Sequence, residues 1–395
     1  MKAAPLLDRR ADGALLLPAL ATAHSHAFQR AMRGRAQRPA ATPGDDFWTW
    51  RGQMYALAAS LTPESIRSVS AVAFAELARA GVRTVGEFHY VHHQQDGTPY
   101  GERTLLADTV IEAAKQAGLR VALLRVAYHR AGPGRDAEPS QRRFCDPSVD
   151  DVLRDLDALE ARWGHDPDVV IGVAPHSVRA VPPSWLGPLR DWAEDRGAPL
   201  HMHVAEQPRE VDECLAETGR RPVELLADEG VLSDRFVAVH ATHLAPHEAE
   251  LLGAARSFAC ICPTTERDLG DGLPDLGALR AAGARLCTGV DSHVLVDPIE
   301  DLRALEILER LRTGTRVTFR PEAESGLPAE TPAEALWRAG SLVGAAACGF
   351  VGAGGRLVVQ RDHPALALVD EGDLLDAVVF GSGAGPGVVA EVVLA

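Results

Sequence analysis

Two histidines one residue apart, His24 and His26 in the stretch ATAHSHAF, follow an apolar run. On an extended chain residues i and i+2 project from the same side, so both imidazoles can reach one metal ion. Such a pair is a weak signal alone. It gains meaning from His203 in HMHVAE and Asp291 in GVDSH, which close other apolar runs far along the chain. Three imidazoles and one carboxylate, with room for an exchangeable water, suit one catalytic divalent ion: Zn2+ first, with Fe2+, Mn2+ or Ni2+ fitting the same donors. A metal held this way lowers the pKa of its water towards neutrality. A hydrolysis at such a site also needs a proton delivered to the leaving group. Glu206, three residues beyond His203, is placed to carry protons between water and leaving group, and Asp291 to take the first one. His240 either hydrogen-bonds the attacking water or the tetrahedral centre, or adds a further metal ligand.

These residues recur at the ends of β-rich runs. Strands are expected at about 14–20, 82–88, 119–126, 168–174, 199–205, 236–240, 258–262 and 286–290, each dominated by Val, Leu, Ile or Ala. Helical segments at 104–117, 149–163, 184–196, 209–218, 247–255 and 275–282 separate most of them, and several stop at glycine. Another helix opens at Thr62-Pro63-Glu64 with a capping hydroxyl, a first-turn proline and an acid near its positive end, and closes at Gly81. Strands alternating with helices predict an α/β fold, a (β/α)8 TIM barrel, whose active sites collect at the C-terminal ends of the strands. Unrelated core histidines would not keep landing there. Beyond the barrel come a helix at 298–312, a Pro/Glu-rich stretch near 320–333, a helix at 333–346 and β-rich, glycine-punctuated sequence from 355 on. The expected division is a barrel over 19–346 and a small β domain built from 1–18 and 347–395.

The formal net charge is −15 over 395 residues. The average field therefore repels phosphate, which argues against nucleic acid or an anionic membrane as partner. An anionic substrate would need arginines placed locally. The six cysteines lack the spacing of a zinc knuckle or redox motif, and the only close pair is Cys260 and Cys262. The first twenty residues, with mixed charge and Pro18 interrupting a short apolar run, read as neither signal peptide nor membrane anchor. A cytoplasmic protein with reduced thiols is expected.

The motifs HSHAFQRAM (24–32), DFWTWRGQMY (46–55), GEFHYVHH (86–93), HSVRAV (176–181), HMHVAEQ (201–207), VHATH (239–243), LGDG (269–272) and GVDSH (289–293) resemble the amidohydrolase superfamily and, within it, the formimidoylglutamate deiminases. The match runs over about 20–310. It implies His24, His26, His203 and Asp291 as metal ligands, with Glu206 and His240 handling protons. It further implies Gln29, Arg51, Tyr90, His176 and Arg179 as substrate contacts, and a homodimer. His176 stands where binuclear relatives carry a bridging lysine, so a mononuclear site follows. N-formimidoyl-L-glutamate, the small anionic substrate this implies, carries two carboxylates, for which Arg51 and Arg179 offer planar charged forks. His89, His92, His93 and His243 are expected as supporting groups, His201 in a lower layer of the barrel, and Trp48 and Trp50 as a loop wall. Only 23 residues precede His24, so a small β domain N-terminally shortened compared with the resembled family is expected. Two other readings are a nucleobase or related amidine deaminase, whose pocket would prefer apolar walls and amide donors to paired arginines, and a barrel kept only for binding.

Overall fold

A computed structural model describes residues 6–38, 46–319, 331–382 and 388–394, with side chains up to Val389. Eight parallel strands pair in sequence order: Leu20–Ser25, Val82–His89, Arg120–Ala127, Val169–Pro175, Leu200–Val204, Phe236–His240, Phe258–Ile261 and Arg285–Thr288. We call them the first to eighth barrel strands. The barrel closes through a parallel bridge between Ser25 and Asp291. There the Asp291 N–H donates to the His24 carbonyl at 3.0 Å and the His26 N–H to the Asp291 carbonyl at 2.9 Å. Closure thus runs directly through three of the residues picked out as metal-capable. The strands are buried almost throughout because helices cover them outside and side chains fill them inside. Gly86 shows how tight the wall is: a Cβ there would lie 2.4 Å from the Ala23 carbonyl oxygen.

The helix opening at Thr62 spans Pro63–Arg79, with Thr62 and Ser65 capping each other reciprocally. Three helices were not anticipated: Phe47–Ser60, Pro222–Asp228 and Pro263–Leu269. The first starts at a reciprocal Asp46/Thr49 capping box within the segment expected as a loop wall. The expected strand over 14–20 is two strands. Leu15–Pro18 joins a separate antiparallel sheet, and the chain restarts at Leu20 in the barrel. Pro18 lacks an N–H and its carbonyl accepts from the Trp337 indole at 3.0 Å, which fixes the break. The separate sheet contains Asp8–Arg9, Leu15–Pro18, Gly355–Val359 and Val389–Leu394. The tail is less β-rich than its glycines suggested. Short helical turns fill much of 364–381 between its two strands, where Leu366, Leu374, Val378 and Val379 supply a buried face. The Pro/Glu-rich stretch near 320–333 lies, up to 330, outside the described residues. Among the described residues no helix is long and apolar enough to cross a membrane.

The rim of the barrel is held to its loops by a buried ion network. Arg125, near the end of the third strand, donates to Asp146 at 2.7 and 2.8 Å and to Asp155 at 2.6 Å. Burial alone would raise the Asp146 carboxyl, but the Arg125 charge and hydrogen bonds hold it below the ordinary range. Asp146 also donates its backbone N–H to the Tyr128 carbonyl at 2.7 Å, so the pair anchors the 128–146 loop. Asp146→Asn keeps the shape and removes the charge, leaving Arg125 under-compensated in a dry site. We expect a loss of about 3 kcal/mol in chemical-denaturant unfolding; a loss below about 0.5 kcal/mol would deny the network a stabilising role.

Candidate active site

The C-terminal mouth of the barrel holds a pocket lined by His26, Gln29, Arg51, Tyr90, His176, Arg179, His203, Glu206, His240 and Asp291, with His24 buried next to His26 and His203 at its floor. Every residue singled out from the sequence as a site candidate is therefore brought together. The first strand ends in His24 and Ser25, with His26 next; the fifth carries His203; the sixth ends at His240; Asp291 lies three residues beyond the eighth.

Three imidazole nitrogens converge on the floor. His24 Nε2 is 3.1 Å from His26 Nε2 and 3.1 Å from His203 Nε2, and Asp291 Oδ1 is 3.6 Å from the first and 3.4 Å from the second. The outer nitrogens of two rings are engaged: His26 Nδ1 donates to the Phe88 carbonyl at 2.9 Å, and His203 Nδ1 to the His176 carbonyl at 3.1 Å. Both rings therefore turn unprotonated Nε2 lone pairs inwards. Burial lowers all three imidazole pKa values, His24 to about 3, so the rings are neutral at pH 7. Burial opposes ionisation of Asp291 too, but the imidazoles facing it, His24 first, hold it below the ordinary carboxylate range. Converging lone pairs repel unless something positive sits between them. Tetrahedral zinc with bonds of about 2.0–2.1 Å implies nitrogen separations of about 3.3 Å, which matches the observed spacing. Gly289 allows this closeness, since a Cβ would meet His24 Cβ at 2.7 Å and Cys262 Sγ at 2.9 Å.

The second group surrounds His240. Its Nδ1 lies 3.1 Å from Glu266 Oε1, while its Nε2 is 3.7 Å from Glu206 and 3.9 Å from Asp291. Burial would lower its pKa, but the Glu206 charge, the hydrogen bond with Glu266 and the Asp291 charge raise it to about 10. His240 and Asp291 both adopt left-handed backbone, φ 69° and 53°. Non-glycine residues seldom do so away from functional sites. Glu87 underlies the first strand, accepting from Ser25 Oγ at 2.5 Å and from the Ala27 N–H at 2.8 Å; burial pushes its carboxyl up to about 8. His293 approaches the same Ser25 hydroxyl at 2.9 Å, which gives this histidine a supporting contact the sequence had not suggested.

The two arginines differ. Arg179 is almost fully buried and already engaged, with Nη2 2.8 Å from Glu206 and Nε 3.0 Å from Glu210. It is not the open fork its sequence position suggested. Arg51 lies over Trp48 at 4.5 Å and Tyr55 at 5.5 Å, and has no carboxylate partner among the described residues. Nearby, Gln29 Nε2 donates to Tyr90 Oη at 2.8 Å, leaving its buried Oε1 without a partner among the described residues. His176 is packed by the rings of Tyr128 and His203, each at 4.8 Å, and burial with the Arg179 charge keeps it neutral.

The remaining expected supports fall outside the pocket. His92 bonds the Val126 carbonyl at 2.9 Å, His93 lies 3.7 Å from Asp146, His243 bonds the Asp271 carbonyl at 2.8 Å, and His201 sits lower in the barrel against the Ala347 carbonyl at 2.9 Å. Trp50 does line the pocket, from a helix and not a loop. Sequence reading missed Glu266, Glu210, Tyr55 and Tyr128, and gave Glu87, at the end of the second strand, no role. Tyr128 directly follows the third strand, so the strand-end rule that found His176 would have reached it; Glu210 and Glu266 sit on the following helices, beyond that rule's reach.

A sequence profile described as the Amidohydrolase family matches residues 15–382. The formimidoylglutamate deiminase of Pseudomonas aeruginosa is 37% identical over 387 residues, covering 95% of this chain and 84% of that one. The 8-oxoguanine deaminase of the same organism is 30% identical, covering 82% of this chain and 70% of that protein. Among solved structures, an amidohydrolase from Brucella melitensis superposes with a TM-score of 0.85 at 34% identity, over 96% of this chain and 83% of that one.

Proposed function

The chain belongs to the amidohydrolase family, and from that membership and the charge of its pocket we propose that it hydrolyses N-formimidoyl-L-glutamate to N-formyl-L-glutamate and ammonia, a step of histidine degradation. The observation that carries the substrate is Arg51, a guanidinium with no carboxylate partner among the described residues, facing the same pocket as the three-imidazole, one-carboxylate cluster. A guanine-like substrate brings no anionic group to match that cation.

On this reading His24, His26, His203 and Asp291 hold one divalent ion, with zinc the best fit to the donors. When bound it supplies a Lewis acid that makes water acidic enough to ionise near neutral pH. Asp291 takes the proton of the attacking water. Glu206 carries a proton to the departing nitrogen, and His240, aimed by Glu266, hydrogen-bonds the developing oxygen. Arg179 fixes the Glu206 carboxylate and contributes its remaining N–H groups to the pocket wall. Gln29 Oε1 accepts from a substrate N–H, while Tyr90 and His176 pack the chain of the substrate. Residues 1–18 and 347–395 form a small β unit beside a barrel of 19–346, in a cytoplasmic homodimer.

The test is ammonia release from N-formimidoyl-L-glutamate by zinc-loaded protein, with guanine and cytosine in parallel. Turnover of the first alone is expected, and silence on it with metal bound would overturn the substrate. Arg51→Met should raise KM by about 10- to 100-fold, the size of a charge-assisted hydrogen bond, with kcat much less affected. Unchanged KM would remove Arg51 from recognition.

A further inference from the structure

Tyr55, on the helix Phe47–Ser60, and Tyr128, just beyond the third barrel strand, both line the pocket. Their hydroxyl oxygens lie 3.1 Å apart. The Gln141 amide donates to both, at 3.1 Å to Tyr55 and 2.7 Å to Tyr128. Gln141 is itself held, its Oε1 accepting from the Glu138 N–H at 2.8 Å. All three side chains are buried.

Each hydroxyl accepts one amide proton from Gln141. One hydroxyl proton bridges the two oxygens, and the second has no acceptor among the described residues. Both tyrosines line the pocket, so a ligand oxygen placed there can accept that proton. Arg51, with its guanidinium carbon 5.5 Å from the Tyr55 ring centroid, makes the local field positive and selects an anionic oxygen. The His176 ring separates Tyr128 from His203, with 4.8 Å between centroids on either side. The pair is therefore one ring removed from the proposed reacting centre.

We infer that Tyr55 and Tyr128, poised by Gln141, form a carboxylate-recognition element that works with Arg51 on the side-chain carboxylate of the substrate. This rests on the proposed reading of the substrate as an N-formimidoyl amino diacid. The α-carboxylate lies close to the reacting carbon, and the side-chain carboxylate two methylenes farther out is the one the pair reaches. Arg179, engaged by Glu206 and Glu210, leaves this second carboxylate otherwise short of donors.

The test uses the zinc-loaded Tyr55→Phe/Tyr128→Phe double variant, with the single variants alongside. Turnover is measured on N-formimidoyl-L-glutamate and on N-formimidoyl-L-norvaline, which lacks the side-chain carboxylate. The double variant should lose about 10- to 100-fold in kcat/KM on the first, mostly through KM, and less than about twofold on the second. Each single variant keeps one hydroxyl, with a proton no longer shared, and should lose less than the double. Equal losses on both compounds would show a merely structural role and overturn the inference. Calorimetric binding of N-formyl-L-glutamate and N-formyl-L-norvaline separates the two readings. A wild-type protein silent towards N-formimidoyl-L-glutamate, but binding N-formyl-L-glutamate in a tyrosine-dependent way, would sink the proposed reaction and keep the recognition element. Variants binding both ligands as wild type does would sink the element alone.

Discussion

Glu206→Gln should leave a folded, metal-loading protein whose turnover has fallen by about 10²- to 10⁴-fold, the range of a positioned general acid or base. Glutamine keeps the volume of the side chain and can still accept from Arg179, whose Nη2 lies 2.8 Å from Glu206 Oε2. It cannot take and return a proton. The carboxylate is well placed for that duty: buried, 3.7 Å from His240, and on the same wall as His203 and Asp291. Its other neighbours would be disturbed by a smaller substitution, because alanine would strand the Arg179 charge in a dry site. Metal content by elemental analysis and binding of N-formyl-L-glutamate should match wild type while kcat collapses. Retained turnover would remove Glu206 from proton transfer.

The barrel and the cluster on its floor were legible for one physical reason. In this architecture function collects at strand ends, and strand ends are visible as the places where apolar runs stop. His24, His203 and His240 each stand at or next to such a stop. What escaped reading depends on contacts between distant segments. Arg179 looks free in the sequence, yet Glu206 and Glu210, from the loop after the next strand and the helix that follows it, come within 2.8 and 3.0 Å and occupy it. Glu266 gains its part only because the helix following the seventh strand brings it 3.1 Å from His240. The helix Phe47–Ser60 hid because its aromatic residues show no single apolar stripe; Trp48 lies against arginines, while Trp50 lines the pocket and only partly packs on the core. The break after Pro18 hid inside a continuous apolar run, where hydrophobicity cannot say that the chain changes sheets.

The largest effect expected at the floor comes from Asp291→Asn. Asparagine is the informative substitution because Asp291 sits at φ 53° and its backbone closes the barrel against His24 and His26. Asparagine tolerates left-handed backbone better than alanine does and is close to isosteric, so the closure survives. What it loses is the negative charge facing two imidazoles at 3.4 and 3.6 Å, and with it the proton acceptor for the attacking water. Two defects therefore combine: the proposed metal loses its one anionic donor, and proton removal loses its base. Turnover should fall by at least about 10⁴-fold, and metal retained after dialysis should drop well below one equivalent. Excess zinc should refill the site without restoring the rate, since occupancy alone does not return the base. Full recovery with added zinc would confine Asp291 to holding metal and move proton removal to Glu206, whereas unchanged metal content and rate would place the reacting centre away from the His24, His26 and His203 cluster altogether.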